Sequence, residues 1–249
     1  NAVGDGQWNR DQFIGTELYG KTIGIIGLGK VGFEVARRAI AFGMRVLAYD
    51  PYVSEADIGD IKLKLVGMPE LITSSDVVSI HSAYTSETHH LIDNDMLSMI
   101  KPDAVIINTS HGKIIDEEAL LTFLENDRVR AAALDVMATE PPENNPPLLN
   151  HPKIIHTPHI GDSTTEAQHD LSLIIVQQVL DALASTDYRN VVNMPIIDGQ
   201  AFELIRPYMH LAETIGILLH HLAEGDIQRI AVEFKGTEFQ RLVKPMTVA

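Results

Sequence analysis

The sequence predicts an α/β chain wound around an open parallel sheet, and three observations carry that reading. From Lys21 onward, short β-branched runs alternate with longer amphipathic stretches, the order that builds βαβ units. The first run passes through a glycine-rich turn directly into a helical stretch. Polar residues gather at the ends of several later runs, which is where ligands of open α/β sheets bind.

The elements follow in order. Residues 1–20 are polar and aperiodic, with Gly4, Gly6, Gly15 and Gly20, and read as an entry segment. The strand candidates are Thr22–Ile26, Arg45–Tyr49, Val77–His81, Ala104–Asn108, Ala131–Asp135 and Lys153–His156. Helix candidates lie between them at Val31–Phe42, Met68–Thr73, Asn94–Ile100 and Asp116–Asn126. Ser163–Ser185 then reads as one long helix, with Ser163 capping its start and Glu166 completing a capping box. Leu171, Leu173, Ile174, Ile175, Val176, Val179 and Leu180 make it apolar over much of its circumference, which predicts burial between two bodies. Val191–Pro195 reads as an extended return. Residues 201–223 form a second long amphipathic helix, interrupted near its start by Pro207 and ended by Gly225. Ile230, Val232 and Phe234 alternate with polar or small residues as one strand of a further unit.

Composition narrows the function classes. The 249 residues can bury an ordinary core, and 45% apolar with 21% charged residues is typical of globular proteins. The absence of cysteine excludes disulfides, thiolate zinc sites and a cysteine nucleophile, and fits a cytoplasmic protein. A net charge of −15 argues against nucleic acid or an anionic membrane surface as partner. It also means that a small anionic substrate would need local positive charge. The histidines at 89–90, 151, 156, 159 and 220–221 lack an H-E-x-x-H spacing or any cysteine partner, so no metal site is expected. Trp8 and the helix over 207–223 read as packing or subunit contact. The chain starts on Asn1 and stops within what reads as continuing structure, so it is expected to be part of a longer protein.

Gly27-Leu28-Gly29-Lys30-Val31-Gly32 is a G-x-G-x-x-G set between the apolar strand ending at Ile26 and a helix. Gly27 would permit the tight turn, Gly29 the approach of a pyrophosphate to the helix N-terminus, and Gly32 close packing of helix on strand. Asp50 ends the next strand, where a carboxylate can accept both adenosine ribose hydroxyls and repel a 2′-phosphate. Together these predict a Rossmann-type dinucleotide site with a preference for NAD over NADP. Gly15 through Thr22 also matches the P-loop pattern, but it leads into a strand instead of a helix and is discounted.

Polar strand ends supply the candidate chemistry: Asn108 through Gly112, Asp135 through Pro141, and Thr157 through Gly161. Hydride transfer from a hydroxy acid needs a group that moves the hydroxyl proton. His159 suits that task, and a carboxylate such as Glu140 would hold its imidazole and raise its pKa.

In Trp8–Gly32, Asp76–Ile92, Ile107–Leu120 and His151–Gln168 the sequence closely resembles the D-isomer-specific 2-hydroxyacid dehydrogenases. The likeness runs from about Trp8 to Pro195. Phe202–Gly236 and Lys244-Pro245-Met246-Thr247 resemble the start of the extra domain of the family's long-form D-3-phosphoglycerate dehydrogenases. The resemblance implies His159 as acid/base with Glu140 as its partner, and backbone contacts from Lys30 and Val31 to the pyrophosphate. It places Ser82, Thr109, Ser110, Asp135, Gly161 and Asp162 along the path from adenine to nicotinamide, with Asp135 near the carboxamide. It also implies an entry segment over 1–20, an NAD-binding domain over 21–162, and a crossover helix with its return to a truncated flavodoxin-like substrate domain over 163–197. An additional α+β, regulatory-type domain would begin over 198–249.

The activity so implied is NAD-dependent oxidation of D-3-phosphoglycerate for serine biosynthesis, by a homodimer joined through the cofactor domain. Two departures bear on it. His111 stands where the family carries an arginine that clamps the substrate, and an imidazole is a poorer fork for a carboxylate than a guanidinium. Ala83 stands where proline is usual. With the N-terminal half of the substrate domain also absent, the chain is expected to bind NAD and turn over poorly. Two rival readings remain: a glyoxylate or hydroxypyruvate reductase of the same family, and an NAD-sensing scaffold whose catalysis has lapsed at His111.

Overall fold

A computed structural model describes residues 3–6, 8–142, 146–184 and 199–222. The chain divides into two compact units, Asn1–Gly161 and Asp162–Ala249.

Among the described residues of the first unit, seven strands form one parallel sheet. They are β1 Thr22–Ile26, β2 Arg45–Tyr49, β3 Leu63–Leu65, β4 Val77–Ile80, β5 Val105–Asn108, β6 Ala131–Leu134 and β7 Ile154–His156. Their order is β3-β2-β1-β4-β5-β6-β7. The winding reverses at β1, which pairs β2 on one side and β4 on the other. That reversal opens a crevice beyond the carboxyl ends of β1 and β4.

Five helices connect these strands: α1 Lys30–Ala41, α2 Glu55–Ile58, α3 Met68–Ser74, α4 Asn94–Met99 and α5 Glu117–Glu125. Every residue of β1 is buried, as befits a central strand covered on both faces. Successive side chains alternate between the faces. Ile23 and Ile25 join Ala36 and Ala39 of α1 in one core, whereas Ile26 joins Leu71 and Ile72 of α3 in the other. Each fully buried aliphatic side chain contributes about 1.5–3 kcal/mol, so the two cores fix the register of β1 from both sides. Caps set the helix starts: the Asp93 carboxylate accepts from the Met96 amide, and that of Asp116 from Glu118 and Ala119.

The six strands expected from the sequence all form, with ends moved by one residue at most. β3 and α2 were not anticipated. They span three and four residues, too short for a periodicity to register. Trp8 is 80% exposed, so of its two expected roles, packing within the chain is not met.

The second unit contains α6 Thr165–Leu183 and α7 Gly199–Leu222. Three expectations are corrected here. The cap of α6 is Thr164 and not Ser163, because the Thr164 hydroxyl accepts from the Ala167 amide and the helix starts one residue later. α6 has no buried residue, so the expected burial between two bodies is not met. An all-round apolar helix needs neighbours on every side, and the described residues do not supply them. Pro207 lies inside α7 without interrupting it. Proline forfeits one amide bond and bends a helix, yet a helix of this length retains many others. Val191–Pro195, Gly225, the strand around Ile230–Phe234 and Lys244–Thr247 lie outside the described residues. Among those described, no helix is long and apolar enough to cross a membrane.

Candidate functional site

The glycine turn is built as its spacing requires. Gly27 has φ +90°, and a Cβ there would stand 2.6 Å from the Ser82 amide nitrogen. Ser82, just beyond β4, is thereby brought against the turn at the sheet's switch point. A Cβ on Gly32 would stand 2.2 Å from the Gly27 carbonyl oxygen, so α1 can lie this close only with glycine there. Gly29 differs from both, because nothing lies within 4 Å of a Cβ built on it. It caps α1 with no side-chain bond to the helix amides, which leaves the first amides of Lys30 and Val31 available to an anion. Gly29, Lys30 and Val31 are all exposed.

Asp50 follows β2 and is half-buried. One carboxylate oxygen accepts from the Leu28 amide at 2.8 Å, the other from the Tyr52 amide at 2.9 Å. Asp50 therefore holds the glycine turn, in addition to the ribose contact expected of it from the sequence. The open cradle at Gly29, the uncapped helix start and this carboxylate together fit a dinucleotide.

The second cluster forms where the loops after β5, β6 and β7 meet. His159 has φ +53°, an uncommon conformation for a residue with a side chain. Asp135 enforces it. The Asp135 carbonyl accepts from the His159 amide at 2.9 Å, and its carboxylate accepts from the Thr157 hydroxyl and the Ile160 and Gly161 amides. Burial pushes the Asp135 carboxyl up, but these three donors outweigh it and hold the group below the ordinary carboxylate range. Asp135 is thus the organiser of the His159 loop, a role the sequence did not reveal.

His159 Nδ1 lies 2.7 Å from a carboxylate oxygen of Glu140, and the other Glu140 oxygen accepts from the Met137 amide at 2.9 Å. The bond to His159, then that from Met137, lowers the Glu140 carboxyl below its usual range against the opposing effect of partial burial. The contact engages Nδ1 of the ring, so any exchange of a proton with a ligand falls to Nε2.

An open cleft of about 280 Å³ lies over this pair, lined by Tyr84, Ser110, His111, Lys113, Met137, Glu140 and His159 among others. Asn108 shapes its β5 side. Its amide donates to the His111 carbonyl at 2.9 Å, and its oxygen accepts from Ser110. Of the expected cofactor residues, Thr109 is exposed beside Ser110 at this end of β5, and Gly161 is held by Asp135. Asp162 begins the second unit.

Tyr84 and Lys113 were not singled out from the sequence as site residues. Gly112 and Lys113 follow His111 directly, but only a fold shows what a Cβ at 112 would strike. His81, next to Ser82, is buried enough to push its imidazole below the ordinary range, and it bonds the Ser79 hydroxyl at 2.9 Å.

A family model described as D-isomer specific 2-hydroxyacid dehydrogenase, NAD binding domain, matches residues 1–161. The chain is 43% identical over 235 residues to a D-3-phosphoglycerate dehydrogenase of Synechocystis sp., covering 94% of this chain and 42% of that one. A D-3-phosphoglycerate dehydrogenase of Methanocaldococcus jannaschii is 40% identical over 232 residues, covering 93% and 44%. The chain thus spans less than half the length of these curated relatives. Among solved structures, a glyoxylate reductase from Paecilomyes thermophila superposes with a TM-score of 0.71 at 36% identity, covering 77% of this chain and 58% of that one.

Proposed function

The chain belongs to the D-isomer specific 2-hydroxyacid dehydrogenase family and carries its NAD-binding domain, and on that premise we propose that it serves a D-3-phosphoglycerate dehydrogenase. The reaction oxidises the 2-hydroxyl of D-3-phosphoglycerate to the ketone of 3-phosphohydroxypyruvate, a step toward serine. The observation that carries the catalytic part is the 2.7 Å contact of His159 Nδ1 with Glu140. The likeness in sequence to D-3-phosphoglycerate dehydrogenases over most of the chain supports the choice of substrate.

When bound, NAD supplies the acceptor for the hydride that leaves C2 of the substrate. The chain's own residues do the rest. His159 Nε2 takes the hydroxyl proton as the carbonyl forms. Glu140 keeps the ring in the orientation and tautomer that present Nε2, and its charge stabilises the imidazolium so formed. The amides at Gly29, Lys30 and Val31 hold the pyrophosphate, Gly27 and Gly32 shape the turn, and Asp50 takes the ribose hydroxyls. Ser82, Thr109, Ser110, Asp135, Gly161 and Asp162 belong to the path from adenine to nicotinamide. On this reading 21–162 is the cofactor domain, one residue past the end of the first compact unit, 163–197 the crossover, and 198–249 the start of a further domain. A cytoplasmic homodimer is the assembly expected of this reading.

The test is NADH formation from D-3-phosphoglycerate, set against NADH consumption with glyoxylate or hydroxypyruvate, in the 249-residue chain and in the full gene product. Preference for glyoxylate would move the protein to the reductases, a reading favoured by the structural likeness to a glyoxylate reductase. His111 raises the sensor reading. His111→Arg separates the two: a gain of about tenfold in kcat/KM, about 1.4 kcal/mol, marks a weakened enzyme. No gain and no basal turnover, with NAD still bound, marks a sensor.

A further inference from the structure

The cleft over His159 must hold an anion if the proposed reaction is right, and this inference rests on that reading. Its charge-bearing wall consists of His111, Lys113, Glu140 and His159. Glu140 is an anion already engaged with His159. His159 has one nitrogen committed to that pair and the other to the reacting hydroxyl. His111 offers an imidazole, a poorer fork for a carboxylate than a guanidinium. Lys113 alone among these is an ammonium, a compact cation on a flexible stem.

Three features make Lys113 a built element of the cleft. It sits in a single 3-10 turn, Gly112–Ile114, whose Gly112 is pressed against the Met137 backbone. Its carbonyl accepts from the His90 amide at 2.9 Å, and Ile114 and Ile115 beside it are 0% and 2% exposed. The main chain at Lys113 is therefore fixed while its side chain borders open space. Moreover, Lys64, Lys101 and Lys153 each sit against a carboxylate, of Glu70, Asp76 and Asp127. Lys113, like Lys21, Lys30 and Lys62, has no carboxylate within ion-pair distance among the described residues, and it is the lysine that lines the His159 cleft. In a chain with a net charge of −15, a cation that lines a cleft from a fixed turn and has no anion beside it is placed for an anionic ligand.

We propose that Lys113 is the cation that holds the substrate carboxylate in the His159 cleft. A compact ammonium on a four-carbon stem makes a point contact with one carboxylate oxygen, and it leaves the planar group free to turn about that contact. Binding therefore survives at position 111 without a guanidinium, with looser orientation of the substrate and slower turnover.

The probe is oxalate, titrated by calorimetry into the 249-residue chain saturated with NADH. Work at about pH 8.5 removes imidazolium charge and leaves ammonium charge. The expected result is oxalate binding that weakens about tenfold in Lys113→Ala and about twofold or less in Lys113→Arg and His111→Ala. Lys64→Ala, a surface cation paired with Glu70, should leave oxalate binding unchanged. NADH affinity, measured separately by its fluorescence, should be equal in all variants. Oxalate binding that is absent from the NADH-loaded chain, or indifferent to Lys113→Ala, or more sensitive to His111→Ala, overturns the assignment and leaves the dehydrogenase reading standing. Failure of the chain to bind NADH overturns both.

Discussion

The α-carbon of Gly112 is pressed against the peptide of Met137: a Cβ there would stand 1.9 Å from the Met137 carbonyl carbon and 2.1 Å from its oxygen. Two loops from neighbouring strands thus meet backbone to backbone. One carries His111 and Lys113 after β5, and the other leads to Glu140 after β6. The cleft over His159 exists because no side chain intervenes at this point.

Gly112→Ala should therefore act on fold and site together. The clash is with backbone, which cannot rotate away as a side chain can. Destabilisation of about 3 kcal/mol is expected by urea unfolding, with loss of turnover in whatever folds. A loss under about 0.5 kcal/mol would show that the loops part at little cost.

Gly29→Ala and Gly32→Ala should separate binding from folding within one turn. At Gly29 the added methyl enters open space, so stability should change by no more than about 1 kcal/mol, while NADH affinity falls tenfold or more as the methyl blocks the pyrophosphate. At Gly32 the methyl meets the Gly27 carbonyl, and stability itself should fall by about 1–3 kcal/mol. Equal melting-temperature losses in the two variants would contradict this division.

Glu140→Gln removes the charge opposite His159 and keeps the shape. In the full gene product, kcat should drop roughly a hundredfold and NADH affinity should hold, since the glycine turn is untouched. His159→Asn should cost roughly 10²–10⁴-fold. Full activity in either variant would remove the pair from the mechanism.

Asp135 ties stability to pH. Its folded pKa lies below the unfolded value because Thr157, Ile160 and Gly161 donate to the charged form. A carboxyl depressed in this way contributes stability that is fully present above the unfolded pKa of about 3.9 and is lost as pH falls through the folded one. Asp135→Asn should cost about 2 kcal/mol at neutral pH, and its deficit against the parent should shrink below about pH 4. A deficit that is constant down to about pH 3 would assign the loss to packing instead.

How far the sequence reached is clearest at particular residues. The places of Gly27, Gly32 and Asp50 were legible because they are local: a positive φ, a helix start and a strand end follow at a fixed spacing where this strand turns into a helix. β3 and α2 escaped because three or four residues hold no period. Asp135 was legible as a strand-end acid, yet its grip on the loop of His159 joins residues that are distant along the chain.

The alternation of strands and helices, the glycine turn and the two partners His159 and Glu140 were readable from the residues alone, since these follow from apolar periodicity and from residue type at strand ends. The strand order with its reversal at β1, the meeting of Gly112 with Met137, and the place of Lys113 in the cleft emerge first in the folded chain. Those depend on which strands pair across the sheet and how closely their loops approach. Such contacts are set by packing across the whole domain, and no local pattern of residues records them.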